Sequence, residues 1–221
     1  MCGRFVLISD VDALQLAFDL TDIPQALPAR FNIAPSQPVA VIANDAPQTL
    51  ALFRWGLVPF WAKTPDIGAN LINARAETAA EKPAFRAAFK RRRCLIPADG
   101  FFEWQKVDRG KVPLFIHLRD QRLFAFAGLW ETWFSPEGDE LRTCTILTTS
   151  PNSFMEPIHD RMPVILPPEH YDTWLSPDEL PASALLPLLQ PYDAAAMAAY
   201  AVSTFVNNPR NDTPECIERA G

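Results

Sequence analysis

Short runs of apolar residues, many of them alternating with polar ones, predict a chain built mostly from strands. The first is predicted at residues 3–8, and Asp10 then caps a helix in which Val11, Leu14 and Phe18 share one face. Further strands are predicted at 38–44, 48–57, 94–97, 100–107, 112–118, 123–131, 142–149 and 199–205. Helical spacing predicts helices at 83–91, 168–175 and 183–190.

Many short strands with few helices predict an α+β fold, with a curved or barrel-like, mainly antiparallel sheet and peripheral helices. A chain of 221 residues suits one domain covering 1–221, and no repeat or change of composition marks a boundary inside it. The 22 prolines against 8 glycines favour stiff connections over flexible linkers.

Composition narrows the classes of function. The net charge of −6 provides no global basic field, so a nucleic-acid site would have to be a local patch. The cysteines show no C-x-x-C spacing and no histidine partners at zinc spacing; they are Cys2, Cys94, Cys144 and Cys216. We therefore expect no disulfide framework and no metal site, which suits the reducing cytoplasm, and no membrane segment. We also expect a monomer.

Cys2 directly follows the initiator Met1. Removal of Met1 would leave a free α-amine beside a thiol, with reference pKa values of about 7.7–8.0 and about 8.5. Such an aminothiol can condense with an aldehyde and close a thiazolidine ring, or act as an N-terminal nucleophile hydrolase. The alternative is a small buried apolar side chain without chemistry.

Two further segments combine reactive side chains with unusual surroundings. In 100–106, alternation puts Phe102 and Trp104 on one face and Phe101 and Glu103 on the other. A carboxylate among aromatics is costly to keep ionised, which suits a general acid or base; the alternative is a solvated or arginine-bound glutamate. His159 lies in a loop between Pro157 and Pro163 and suits proton transfer, or else forms a surface ion pair with its charged neighbours.

The segment 70–78 joins polar and cationic groups. Asn73 offers a donor and an acceptor, and Arg75 offers a fork that matches phosphate, although the segment also fits a loop before a helix capped by Thr78. Upstream, Trp55, Phe60 and Trp61 are aromatics of the kind on which single-strand binders stack bases; if buried they are core.

These blocks occur together, in the order and spacing of one known family. They are Met1–Phe5, Phe31–Pro35, Trp55–Pro59, Ile72–Thr78, Cys94–Trp104 and Ile158–Pro163, with a weaker match at Val202, Ser203, Val206 and Asn207. The chain therefore resembles the SRAP (SOS response-associated peptidase) family of abasic-site processing proteins. The segment 176–198 matches no block of that family.

The resemblance implies covalent capture of abasic sites in single-stranded DNA, without a cofactor. Cys2 resembles the crosslinking residue, Asn73 the residue that holds it, Glu103 the acid/base, and His159 the residue that opens the sugar. The positions that resemble the DNA-binding groove are Arg4, Pro35, Trp61, Arg75, Thr148 and Arg161. Two alternatives remain open from the residues alone: a thiol peptidase or amidohydrolase that uses Cys2, and a single-strand-binding module in which Cys2 is incidental.

Overall fold

The computed structural model describes residues 2–25, 27–120 and 122–221. Within these ranges the strands are β1 (Phe5–Leu7), β2 (Arg30–Ile33), β3 (Pro38–Ala43), β4 (Leu50–Trp55), β5 (Asn73–Arg75), β6 (Arg93–Ala98), β7 (Gly100–Val107), β8 (Gly110–Leu118), β9 (Phe124–Phe134), β10 (Glu140–Thr149), β11 (Met162–Pro163), β12 (Ile165–Leu166) and β13 (Met197–Ala201). The α-helices are α1 (Val11–Phe18), α2 (Ala76–Ala79), α3 (Arg86–Arg91), α4 (Tyr171–Trp174) and α5 (Ala182–Leu185). Short 3₁₀ helices cover Pro65–Asn70, Pro168–His170, Leu186–Leu188, Ala194–Ala196, Thr204–Asn207 and Pro214–Cys216.

Five strands close into a barrel. β4 pairs with β3, β3 with β6, β6 with β9, and β9 with β10, all antiparallel; β10 returns to β4 in parallel. Closure leaves no free edge around the ring, which is how barrels avoid the hazard of exposed sheet edges. β5 and β11 extend β10 beyond the ring, and β12 extends β9.

A second, antiparallel sheet in the order β13-β8-β7-β1-β2 packs against the barrel. Its inner face carries Phe5 and Phe101, whose rings meet Phe126 of the barrel in edge-on contacts. Its outer face carries Phe102 in a separate apolar cluster, against which Trp104 packs. The alternation predicted for 100–106 is therefore confirmed, and both faces of this sheet are covered.

The predicted α+β fold with a curved, mainly antiparallel sheet and peripheral helices is confirmed. The helix after Asp10 begins where expected, since the Asp10 side chain accepts a hydrogen bond from the amide of Ala13. The strand predicted at 199–205 was wrong beyond Ala201, because the Ser203 hydroxyl accepts from the amide of Phe205 and starts a 3₁₀ turn. Short strands such as β2 and β5 were not predicted. Among the described residues, no helix is long and apolar enough to cross a membrane.

Candidate active site around Cys2

Cys2 is fully buried at the start of the described chain. Its Sγ donates to the carbonyl of Arg4 at 3.9 Å, and its own carbonyl accepts from Nδ2 of Asn73 at 2.8 Å. The residue therefore lies where the second sheet, through the segment leading into β1, meets β5 at the rim of the barrel.

The register between β1 and β7 brings Glu103 beside Cys2. Phe5 is opposite Phe101, and the amide of Phe102 donates to the carbonyl of Arg4, so the pairing continues past the start of β1. Glu103, the next residue on β7, is buried with 4 % of its surface exposed. The Glu103 carboxyl group thus lies near Cys2, which precedes β1 in the chain.

The surroundings of Cys2 act strongly on its thiol. Burial raises the pKa of the Cys2 thiol far above its usual value, and the negative charge of Glu103 raises it further. The thiol therefore keeps its proton at neutral pH. This differs from the partly deprotonated thiol expected from reference values, because the sequence did not reveal the burial.

Asn73 is held by β5, which runs parallel to β10 with Asn73 opposite Ile146. While its Nδ2 binds the carbonyl of Cys2, its Oδ1 is buried and has no hydrogen-bond partner among the described residues. A buried acceptor without a donor is costly. The Asn73 side chain therefore presents a vacant acceptor next to the backbone of Cys2.

The loop carrying His159 bridges the same two parts of the fold. On one side, Gln105 of β7 donates to the carbonyl of Pro157 at 3.1 Å. On the other side, the Arg161 guanidinium donates to the carbonyl of Thr148 on β10 at 2.6 Å. The His159 ring is partly buried, and its Nδ1 lies 3.0 Å from the Arg161 amide and 2.8 Å from a carboxylate oxygen of Asp160.

Of the predicted groove residues, Arg75 and Trp61 are exposed and Pro35 is partly exposed. Trp61 and its neighbour Phe60 are 50 % and 62 % exposed on a turn that Trp133 anchors through a 2.7 Å bond to the carbonyl of Ala62. Trp55, by contrast, is fully buried in the core. The aromatic patch of the sequence thus divides into a buried half and an exposed half.

Three other predicted groove residues make internal contacts. Arg161 forms a two-pronged ion pair with Glu77, at 2.7 and 2.8 Å. This interaction lowers the pKa of Glu77, and Arg75 adds a smaller effect in the same direction. Thr148 is fully buried, with its hydroxyl 3.4 Å from the carbonyl of Ala74, so its side chain lines no surface. The guanidinium of Arg4 binds Asn32 and backbone carbonyls of the C-terminal region.

Sequence reasoning had not assigned a role to Glu77, Asn32 or Asn207. Each stands inside a block noted for its resemblance to the family, which was the only signal available. Gly56, in another of these blocks, has a backbone that requires glycine: its φ is +124°, and a Cβ there would lie 2.5 Å from the carbonyl oxygen of Gly68. Within the described ranges, no group of His, Cys, Asp and Glu side chains is arranged to hold a metal ion.

Comparison with known proteins shows the family to which the chain belongs. The family model described as SOS response associated peptidase (SRAP) matches residues 1–209. The chain belongs to the SRAP family. It is 51 % identical to the abasic site processing protein YoqW of Bacillus subtilis over 225 residues, covering 99 % of both chains. It is 37 % identical to the abasic site processing protein HMCES of Xenopus tropicalis, over 79 % of this chain and 58 % of that protein.

The fold is shared with solved structures. A protein from Bacteroides thetaiotaomicron, 28 % identical, superposes with a TM-score of 0.89 over 99 % of this chain and all of its own. The fold of this chain is therefore shared by a protein of low sequence identity.

Proposed function

We propose that this SRAP protein, after loss of Met1, captures abasic sites in single-stranded DNA as a thiazolidine at Cys2. The observation that carries the proposal is the enclosure of Cys2 between the Asn73 amide and the Glu103 carboxyl group. Relatives named abasic site processing proteins, one of them 51 % identical over nearly the whole chain, support the same assignment. Arg75, Arg161, Pro35 and Trp61 then form the face that binds the DNA strand.

The proposed reaction joins one aldehyde to two groups of one residue. The Cys2 α-amine adds to the aldehyde carbon of the opened sugar and gives a carbinolamine. The Glu103 carboxylate takes the N–H proton of the carbinolamine and delivers it to the hydroxyl, which leaves as water, and a neutral imine remains. The thiol then adds to the imine carbon: its proton passes through Glu103 to the nitrogen, and the thiazolidine ring closes. Because both groups belong to Cys2, ring closure is intramolecular and has a high effective molarity.

His159 is proposed to donate the proton that opens the sugar ring. In the neutral ring the Arg161 amide donates to Nδ1, which places the proton on Nε2. The acid is the protonated ring, in which Nδ1–H faces the Asp160 carboxylate oxygen at 2.8 Å. Its Nε2–H passes to the ring oxygen of the sugar as the bond from that oxygen to the anomeric carbon breaks, and the anomeric hydroxyl returns a proton to Nε2 as the aldehyde forms. The same contacts serve the reverse reaction.

Asn73 is proposed to hold the reacting amine. Its Oδ1 is a buried acceptor that no described group satisfies, and removal of Met1 turns the amide nitrogen of Cys2, the residue that Asn73 already binds, into an α-amine that can donate. Pairing the new amine with this acceptor would orient its lone pair and satisfy the orphaned oxygen.

The test is direct. Purified protein whose intact mass lacks Met1 is incubated with single-stranded DNA carrying one abasic site, and a heat-stable slower band is sought under denaturing conditions. The same oligonucleotide without the lesion is the control. A stable band only with the abasic DNA is expected; turnover of peptide substrates without any DNA adduct would overturn the proposal.

The thiol peptidase alternative fits the site less well. A hydrolytic cysteine needs a thiolate stabilised by a nearby cation, so that its pKa falls. Burial and Glu103 raise the pKa of the Cys2 thiol instead. A mechanism in which the amine attacks first has no need of a preformed thiolate.

A further inference from the structure

The C-terminal segment, residues 202–217, covers the outer face of the second sheet. Its Val206 and Cys216 are fully buried in one apolar cluster with Val6 of β1 and Phe102 of β7. The segment therefore rests on the two strands that bring Cys2 and Glu103 together.

Arg4 ties the strand of Cys2 to this segment. Its guanidinium donates to the carbonyls of Val206 and Asn207, at 2.9 and 3.3 Å, and to Oδ1 of Asn32 at 2.9 Å. Its own carbonyl accepts both the Phe102 amide and the Cys2 thiol. One residue thus links the C-terminal segment, β7 and Cys2.

A second set of bonds ties β2 and β7 to the same segment. Nδ2 of the buried Asn32 donates to the carbonyls of Val206, Asn208 and Asn211, at 3.1, 3.1 and 2.7 Å. The indole of Trp104, next to Glu103, donates to Oδ1 of Asn207 at 2.7 Å. The side chains of Asn32 on β2 and Trp104 on β7 are therefore both hydrogen-bonded to the C-terminal segment.

We propose that the C-terminal segment is a clamp that fixes Cys2 against Glu103, and that Arg4 is a positioning residue of this clamp rather than a phosphate ligand. The inference rests on the proposed function of Cys2. The proposed loss of Met1 makes Cys2 a chain end, and chain ends fray unless they are tied down. Arg4 follows Cys2 by two residues and is the side chain through which the clamp can hold it.

The discriminating change is Arg4→Lys, which keeps the charge but cannot reach three acceptors at once. We expect the rate of adduct formation at saturating abasic DNA to fall by roughly 10- to 100-fold, because small displacements of reacting groups are that costly. The Kd for lesion-free single-stranded DNA and its salt dependence should not change. Arg119→Lys is the matched control, since Arg119 is exposed and binds only a backbone carbonyl on its described contacts, that of Ala195; it should react at the wild-type rate.

A second measurement needs no DNA. Cyanobenzothiazole condenses with N-terminal cysteines, and its rate against pH reports the ionisation and accessibility of Cys2. Arg4→Lys should react faster than wild type, with its midpoint shifted to lower pH, because a loosened Cys2 regains water. Faster condensation together with slower DNA capture separates a displaced Cys2 from an inactive preparation; thermal unfolding confirms that each variant is folded.

Each outcome bears on the clamp. The clamp proposal is overturned if Arg4→Lys captures DNA at the wild-type rate. It is also overturned if Arg4→Ala only weakens DNA binding and lowers the slope of log K against log salt by about one unit, as loss of a phosphate contact would. If Arg4→Lys does not fold, Asn207→Ala and Trp104→Phe each remove the single bond between these two side chains, and unchanged capture by both overturns it. If wild type forms no adduct, the proposed function fails, and the cyanobenzothiazole profile of Arg4→Lys alone decides the clamp.

Discussion

At the scale of the residue, the thiol and the α-amine of Cys2 differ in their protonation at neutral pH. The thiol is buried, and its pKa is raised by burial and by Glu103, so it carries a proton at neutral pH. An α-amine has a reference pKa of about 7.7–8.0, so a useful fraction is neutral under the same conditions. In the proposed reaction the amine is therefore the first nucleophile and the thiol the second, and Glu103 is the group assigned to both proton transfers.

This order of events predicts the behaviour of Cys2→Ala. Alanine is also small enough for Met1 to be removed, so the α-amine remains while the thiol is lost. We expect no heat-stable adduct with abasic DNA, but a band after borohydride reduction that traps the imine. A stable adduct without reductant would exclude the thiazolidine.

Replacement of Glu103 by glutamine keeps the shape of the side chain but removes the proton shuttle. Formation of the adduct should slow by roughly 10²–10⁴-fold, the usual range for general acid/base catalysis.

His159→Ala is the companion variant. It should slow both formation and release of the adduct, yet reach the same final yield, since open-chain aldehyde still reacts. Time courses of formation and of transfer to competitor DNA measure both effects. Wild-type rates in Glu103→Gln, or faster release in His159→Ala, would contradict the assigned roles.

At the scale of the element, β5 and α2 concentrate much of the site in a few residues. β5 pairs in parallel with β10, and the chain turns into α2 directly after Arg75. Asn73 faces Cys2, Arg75 is exposed, and Glu77 engages Arg161. One short strand and one helical turn thus connect Cys2 to Arg75 and Arg161 on the proposed DNA-binding face.

The Arg75→Ala variant tests the proposed DNA-binding face. The loss of one phosphate contact should weaken binding and reduce the slope of log K against log salt by roughly one unit. Affinities for abasic and intact DNA should fall together, because a phosphate contact does not read the lesion. Arg109, which is exposed in the turn between β7 and β8 and has no assigned role, is the matched alanine control. Normal binding by Arg75→Ala at every salt concentration would remove Arg75 from the DNA face.

Local pattern predicted some elements and missed others for identifiable reasons. The alternation of Phe101 and Phe102 and the cap at Asp10 are local signals, and both are found in the structure. β5 is only three residues long and exists because β10 offers it an edge, a pairing between residues more than 70 positions apart. No local pattern could reveal such a strand.

The candidate site likewise has features that local sequence predicted and features that depend on long-range contacts. Cys2, Asn73 and Glu103 were identified from residue type and family resemblance, and the structure brings them together. That Arg4 is committed to the C-terminal segment and Thr148 is buried depends on contacts between distant parts of the chain. Sequence alone indicated the candidate residues, but only the packed structure distinguishes an exposed side chain from one whose contacts are all internal.

At the scale of the whole molecule, buried ionisable groups that are neutral at pH 7 make the fold sensitive to alkali. Burial raises the pKa of four buried thiols, those of Cys2, Cys94, Cys144 and Cys216, and of two partly buried phenols, those of Tyr171 and Tyr200. For each, the folded pKa lies above the unfolded one. The stability they contribute is therefore fully present below the unfolded pKa and is lost as pH rises through the window up to the folded pKa.

We therefore expect the free energy of unfolding to be flat near pH 7 and to fall above about pH 8.5, the ordinary thiol pKa. Each thiol that ionises only on unfolding contributes a slope of ~1.4 kcal/mol per pH unit in that window. Urea unfolding under reducing conditions at a series of pH values measures this slope. Cys144→Ala should lower stability at pH 7 through lost packing but should also make the alkaline slope shallower, since Cys144 is fully buried. An alkaline slope that is the same in wild type and Cys144→Ala would show that this thiol ionises in the folded state and does not limit stability at high pH.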